Sequence, residues 1–413
     1  MDFNASMTVA TLMNSGLVLT GVNLRDRQHA DVGVRHGRFA EARDARDGVV
    51  EHIALDGCLL LPGLVDAHLH LDKTLLGGPW RANLAADTVA DRIENERRLR
   101  SSFTPPLRER ANLLLEMAVS QGTVALRTHV DIDDDIGLSN LEAILDLRHA
   151  WSGKVEIQVV TFPQGGILRR PKVLDLLDAA LQAGADLVGG LDPQGVDLDR
   201  NAHLKIVFDL AAKHAKGIDI HLHESSEEGA ESLRHIARLT RQRGLPSQVA
   251  VSHAFCLGAI KRDDTRRLAD DLARSGVTIV TAAPGAAPMP PIDLLREAGV
   301  RVAAGSDNVR DVWSPFGNAS MLERCMLVAY RSGWRTDEAL TRSLDLATTE
   351  AAALLDLDDY GIGVGKPATG IVVPSEHVPQ AIVERPVPEL VLSSGVILRR
   401  TTRIRSKSNQ HCK

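Results

Sequence analysis

Cysteine is scarce and scattered in this chain. Four occur in 413 residues (Cys58, Cys256, Cys325 and Cys412), and no two form a CxxC pair. That argues against a disulfide-stapled scaffold and for a reduced, cytoplasmic protein. No apolar run is long enough to span a bilayer. No basic segment precedes the first apolar residues, so a signal peptide is not expected. Positive charge is not in excess either. The net charge of −6 favours neither nucleic acid nor an anionic membrane as a partner. No GxGxxG or P-loop opens a helix, which removes the usual support for a nucleotide-binding open sheet.

What is present is a globular composition, 44% hydrophobic and 25% charged, in a chain long enough for a barrel plus a second unit. The first 56 residues are short apolar runs broken by turn residues. Similar texture returns at 361–373 and 390–400. Between them, eight strand-like runs alternate with amphipathic helical stretches: 59–69, 123–130, 155–162, 185–190, 218–222, 249–253, 277–282 and 300–304. Two of the helices are expected from Thr104, as N-cap before Pro105 and Pro106, to near Gly122, and over 172–182. Glycines 63, 122, 184, 217, 276 and 299 stand where the chain enters six of the strands, as after helix C-caps. Strict alternation with eight strands argues for a closed parallel (β/α)8 barrel. The expected division is a β-sandwich from 1–57 and 359–400, a barrel over 58–358, and a disordered basic tail at 401–413.

The strand ends carry the chemistry. The first run ends in His68-Leu69-His70; two residues apart on a strand, both rings project from one face. The fifth ends in His221-Leu222-His223-Glu224, the sixth in Ser252-His253, and the eighth run is followed by Ser306-Asp307-Asn308. One histidine so placed is most often a satisfied core residue. Four strands ending in His, His, His and Asp point instead to a catalytic metal site with an open position for water. His68, His70, His221 and Asp307 supply that set. Glu224 suits proton transfer from water, or simply a helix N-terminal charge. His253 suits stabilisation of the attacking oxygen. His223 faces opposite to His221 and is expected to pack outside the barrel. His129 is open to either reading. Cys256 reads as pocket wall, not nucleophile.

These residues resemble the amidohydrolase superfamily, in its cytosine deaminase and N-isopropylammelide amidohydrolase branch. The resemblance rests on PGLVDAHLHLDKT (62–74), RTHVDID (127–133), FPQGGIL (162–168), IDIHLHE (218–224), VSHAFCL (251–257) and GSDNVRDVWSPFGN (305–318), and extends to DYGIGVGKPA (359–368). It implies a distorted TIM barrel, an α/β fold, with a small β-sandwich built from both termini. It implies one divalent ion, Zn²⁺ or Fe²⁺, held by His68, His70, His221 and Asp307; the fourth strand ends in Gly190-Leu191-Asp192-Pro193 and offers no lysine for a second ion. The activity implied is hydrolytic displacement of an amine from a cytosine-like N-heterocycle, or of an alkylamine from an s-triazine, or opening of a cyclic amide. Glu224, His253 and Asp307 are the implied catalytic residues. Gln164, Asn308 and Trp313 are the implied substrate contacts, with Gln164 matching a lactam edge. Cytosine deaminase has a second Asp where this chain has Asn308, and the triazine enzyme has Asp where this chain has Glu224. The ring therefore stays open between the two. A homo-oligomer is implied, with a small heterocycle as its ligand.

Overall fold

The structure, a computed structural model, describes residues 16–25, 29–45 and 50–401. The N-terminal strands are β1 (Gly16–Val22), β2 (Ala30–Arg35), β3 (Arg38–Glu41), β4 (Val50–Ala54) and β5 (Leu59–Pro62). Next come β6 (Leu64–Leu69), β7 (Thr123–Asp131), β8 (Glu156–Phe162), β9 (Leu187–Leu191), β10 (Gly217–Leu222), β11 (Val249–His253), β12 (Thr278–Thr281) and β13 (Val302–Ala304). The chain closes with β14 (Gly370–Val373), β15 (Leu390–Ser393) and β16 (Val396–Arg400).

Strands β6 to β13 form one parallel eight-stranded sheet in sequence order, with helices between successive strands. Every residue of β7, β9 and β11 is buried, because strands of a barrel are covered by side chains inside and helices outside. The sheet comes round on itself where a bridge joins Leu69 to Asp307 and the Asp307 amide donates to His68 O at 2.7 Å. Gly305 permits this approach, since a Cβ there would lie 2.6 Å from His68 N and O.

The remaining strands make two four-stranded sheets, β3-β2-β1-β4 and β16-β15-β14-β5. Leu17, Leu19, Val34 and Phe39 of the first meet Leu60, Val372, Leu390 and Leu392 of the second in a core of their own. Residues of opposite parity on the second sheet, Leu59, Leu61, Ile371, Val373 and Val391, pack into the barrel core instead. The two-residue period of a strand thus lets one sheet serve both units.

Three local expectations are corrected. The run 59–69 is two strands, broken at Gly63: β5 pairs antiparallel with β14, and only β6 enters the barrel. Thr104 is not a cap, because the helix Leu107–Ser120 begins after Pro106 without a side-chain cap. Gly184 and Gly276 are left-handed helix caps, but before β10 Ala215 takes that role and Gly217 starts the strand. A helix at Val89–Leu99, opened by a Thr88/Asp91 capping box, was not expected. Residues 402–413 of the expected tail lie outside the described residues. Among the described residues no helix is long and apolar enough to cross a membrane.

Gly305→Val should wedge β13 from β6. The urea midpoint should fall with an unchanged slope, a loss of about 1–3 kcal/mol from overpacking. A variant as stable as the parent would show that the seam tolerates a side chain.

Candidate metal centre

The seam between β6 and β13 delivers two sides of the centre. His68, in β6, and His70, just beyond it, share a face, and Asp307 follows β13 in a left-handed conformation (φ 60°). Asp307 Oδ1 lies 3.4 Å from His68 Nε2 and 3.5 Å from His70 Nε2. His221 of β10 closes the group, with its Nε2 3.2 Å from His70 Nε2. Ligands bound at 2.0–2.2 Å around a tetrahedral ion sit about 3.3–3.6 Å apart. These three distances match that spacing, and the ligand atoms of His68, His70 and His221 all lie within 4.8 Å of one another, with Asp307 against the first two.

The outer hydrogen bonds present lone pairs inward. His70 Nδ1–H donates to His129 O at 3.1 Å. His68 Nδ1 lies 2.7 Å from Ser252 Oγ, whose own proton goes to Asp219 Oδ1 at 2.9 Å, so the ring donates to Ser252. Arg127 anchors Asp219 at 2.8 Å. Each ring is thus left with an unprotonated Nε2, as a ligand requires. His68 Nε2 is buried with no hydrogen-bond partner. Burial keeps His70 below the usual imidazole range, and burial with the neighbouring rings keeps His221 and His253 well below it.

His253 lies beside this group, its ring 5.0 Å from that of His68 and 5.2 Å from that of His221, with no hydrogen bond at either nitrogen. His129, left open by the sequence, is wedged 4.1 Å from the His68 ring and 4.5 Å from the His221 ring. His223 does not pack outside the barrel as expected. Asp192 accepts its backbone N–H at 2.6 Å and contacts its Nδ1 at 3.0 Å. Its ring stacks on His253 at 4.4 Å. The alternation that predicts an outward ring ends with β10 at Leu222, and Asp192 turns the next residue in.

Glu224 is held by the 191–195 loop, its Oε1 accepting from the amides of Gln194 at 2.8 Å and Gly195 at 2.7 Å. Its Oε2 accepts from Ser232 in the first turns of the helix Glu227–Arg243. With Asp192 and His223, Glu224 lines a cavity of about 650 Å³ whose other wall is the helix Val89–Leu99, through Val89, Ile93 and Arg97. Cys256 is buried and its thiol is pushed up to about 12, chiefly by burial, so it is no nucleophile at neutral pH.

Two of the three expected substrate contacts, Gln164 and Trp313, share a polar wall next to the centre. Phe162 links the two, stacked on His221 at 4.2 Å and lying 5.6 Å below the Lys73 ammonium. Gln164 accepts from Lys73 Nζ at 2.6 Å and donates to Glu96 Oε2 at 3.0 Å. Trp313 Nε1 donates to the same oxygen at 2.5 Å. Asn308 instead donates to Asp311 at 2.7 Å. Lys73 and Glu96 were missed. Lys73, three residues past His70 in the same motif, could have been noticed. Glu96 stands in the charged run Glu94–Arg98, where nothing marks one residue as buried.

The sequence pattern of the amidohydrolase family matches residues 51–398. An N-isopropylammelide isopropyl amidohydrolase of Pseudomonas sp. (strain ADP) is 29% identical over 376 residues, 89% of this chain and 93% of that one. The crystal structure of N-isopropylammelide isopropylaminohydrolase from Burkholderia multivorans ATCC 17616 is similar at a TM-score of 0.88 and 40% identity, over 94% of this chain and 98% of that one. A 5-methylcytosine deaminase from Klebsiella pneumoniae, liganded with 5-fluorocytosine, follows at a TM-score of 0.84 and 25% identity, covering 94% and 97%.

The purified chain should carry one Zn²⁺ or Fe²⁺ by elemental analysis. Chelation should lower its melting temperature, since an ion bound only by the folded state stabilises it. His221→Ala should fall well below one ion per chain. Full metal content in that variant would remove His221 from the ligand set.

Proposed function

The chain belongs to the amidohydrolase family, and from that premise we propose that it is a metal-dependent aminohydrolase displacing an amine from an amidine-like carbon of an oxo-substituted N-heterocycle. The observation that carries this reading is the convergence of His68, His70, His221 and Asp307 beside the wall of Lys73, Gln164 and Trp313. An ion held by those four residues would supply Lewis-acid activation of water. The protein supplies the rest. Glu224, held by two amides and facing the cavity, takes a proton and returns it to a ring nitrogen, which makes the adjacent carbon electrophilic. His253, with both ring nitrogens unpaired beside Asp307, steadies the attacking oxygen. Asp307, with its Oδ1 within 3.5 Å of His68 and His70, accepts a proton and delivers it to the leaving amine.

Between the two ring classes, we favour an amino-s-triazine carrying oxo groups, with ammonia or an alkylamine as leaving group. Lys73 is the reason. Burial would lower its ammonium pKa, but Glu96, Asp131 and Asp72 outweigh that and push it up, so a fixed cation stands where an acidic ring oxygen would lie. Asn308 after Asp307 and the 40% identity to the Burkholderia enzyme point the same way. A cytosine-like pyrimidine is the second reading, favoured by Glu224.

A panel of ammelide-type triazines, cytosine, 5-methylcytosine, isocytosine and creatinine, with ammonia and alkylamine both monitored, separates these. Amine from triazines alone supports the first reading; ammonia from a pyrimidine alone replaces it with the second. Silence across the panel would sink both. Glu224→Gln should lower kcat on the accepted substrate about 10²- to 10⁴-fold with metal content unchanged. Retained turnover would take Glu224 out of proton transfer.

A further inference from the structure

The helix Val89–Leu99 is charged along most of its length, yet Glu96 is turned inward and only 4% exposed. A carboxylate so buried must be paired. Its partners come from three separate loops of the barrel mouth. Lys73 Nζ donates to Oε1 at 2.9 Å and to Oε2 at 3.0 Å. Gln164 Nε2 and Trp313 Nε1 both donate to Oε2. The loops after β6, β8 and β13 are thus tied to one side chain from outside the barrel. Burial would raise the Glu96 carboxyl, but Lys73 outweighs it and keeps the group ionised.

These contacts limit what the wall can do. Lys73 has three ammonium hydrogens, and the two oxygens of Glu96 and the Gln164 carbonyl take all three. Gln164 has each end of its amide bound once, leaving one N–H and one carbonyl lone pair. The wall therefore keeps a free amide hydrogen and a free amide acceptor on Gln164, beside a fixed ammonium charge, and Glu96 orients both residues. A ring edge alternating C=O and N–H meets such a set.

We propose that Glu96 is a positioning residue that determines specificity: it holds Lys73, Gln164 and Trp313 in the one arrangement that receives the oxo edge of an acidic N-heterocycle. This rests on the function proposed above for the same site. Glu96 does not touch the reacting atoms; it acts through the three residues it holds. Two additional ion pairs seat its helix, Arg97 with Asp133 at 2.6 Å and Arg100 with Asp131 at 2.5 Å, so the carboxylate enters at a defined depth.

The test is calorimetric titration of cyanurate, the trione that hydrolysis of ammelide would leave, into metal-loaded wild type, Glu96→Gln, Glu96→Asp and the double variant Lys73→Met/Glu96→Gln. Wild type should bind. Glu96→Gln should bind about 10- to 100-fold more weakly, the loss expected when charge-assisted hydrogen bonds are disordered. Glu96→Asp, which keeps the charge, should recover part of that loss. The double variant removes both buried charges, so it should regain melting temperature without regaining affinity. On any heterocycle that is turned over, Glu96→Gln should raise KM more than it lowers kcat. Equal or tighter cyanurate binding by Glu96→Gln would overturn the proposal, since Glu96 would then be a mere competitor for the donors. Affinity that returns with stability in the double variant would overturn it too, by making the pair purely structural. Cyanurate affinity that follows Glu96 without any turnover would leave this role standing and remove the proposed function. Turnover with affinity indifferent to Glu96 would do the reverse.

Discussion

The hydrogen bond from the Asp307 amide to the His68 carbonyl, 2.7 Å long, joins the first and last strands of the barrel. Everything at the centre depends on that seam. His68 and Asp307 are more than two hundred residues apart in the chain, and their reactive atoms meet only because the sheet closes at this point. Gly305 admits no side chain there without meeting His68. The same contact that completes the barrel thus brings Asp307 to His68 and His70 in the candidate centre.

The second constraint is electrostatic. Six imidazoles (His68, His70, His129, His221, His223 and His253) lie in mutual ring contact at the mouth of the barrel. So many rings cannot all be charged in a buried site. Burial and mutual repulsion hold His129, His221 and His253 neutral. His223 reverses the trend: burial would lower it, but the charge and hydrogen bond of Asp192, with Asp307 and Glu224 behind them, raise it. Neutral rings facing an ionised Asp307 form a donor set for a cation. The seryl and carbonyl contacts behind His68 and His70 set which nitrogen faces inward.

Around this centre the charges are arranged by depth. Arg127 and Asp219 pair inside the barrel at 2.8 Å, below the ligands. Lys73 and Glu96 pair in near-complete burial, and the more exposed Arg97 and Arg100 pair with the buried Asp133 and Asp131. The covering helix is therefore attached by charge more than by apolar packing. Such attachment holds the polar groups of the wall at fixed positions.

The eight-strand alternation, the β texture at both ends and the residue types that meet at the candidate centre were legible in the sequence. Each follows from local periodicity or from residue type at a strand end, which neighbours in the chain determine. The break of 59–69 at Gly63 was not legible, because Leu59–Pro62 and Leu64–Leu69 are equally apolar and only pairing with β14 separates them. The inward turn of His223 was not legible, since it depends on Asp192, thirty-one residues away. Glu96 was hidden most completely: in a charged helix every residue reads as solvated, and its burial is decided by Lys73, Gln164 and Trp313 arriving from three other loops. The sequence by itself determined the barrel and the kinds of residue at its mouth. Tertiary structure alone decided which of those residues face each other, because an ion pair or a ligand set needs atoms within a few ångströms whatever their separation along the chain.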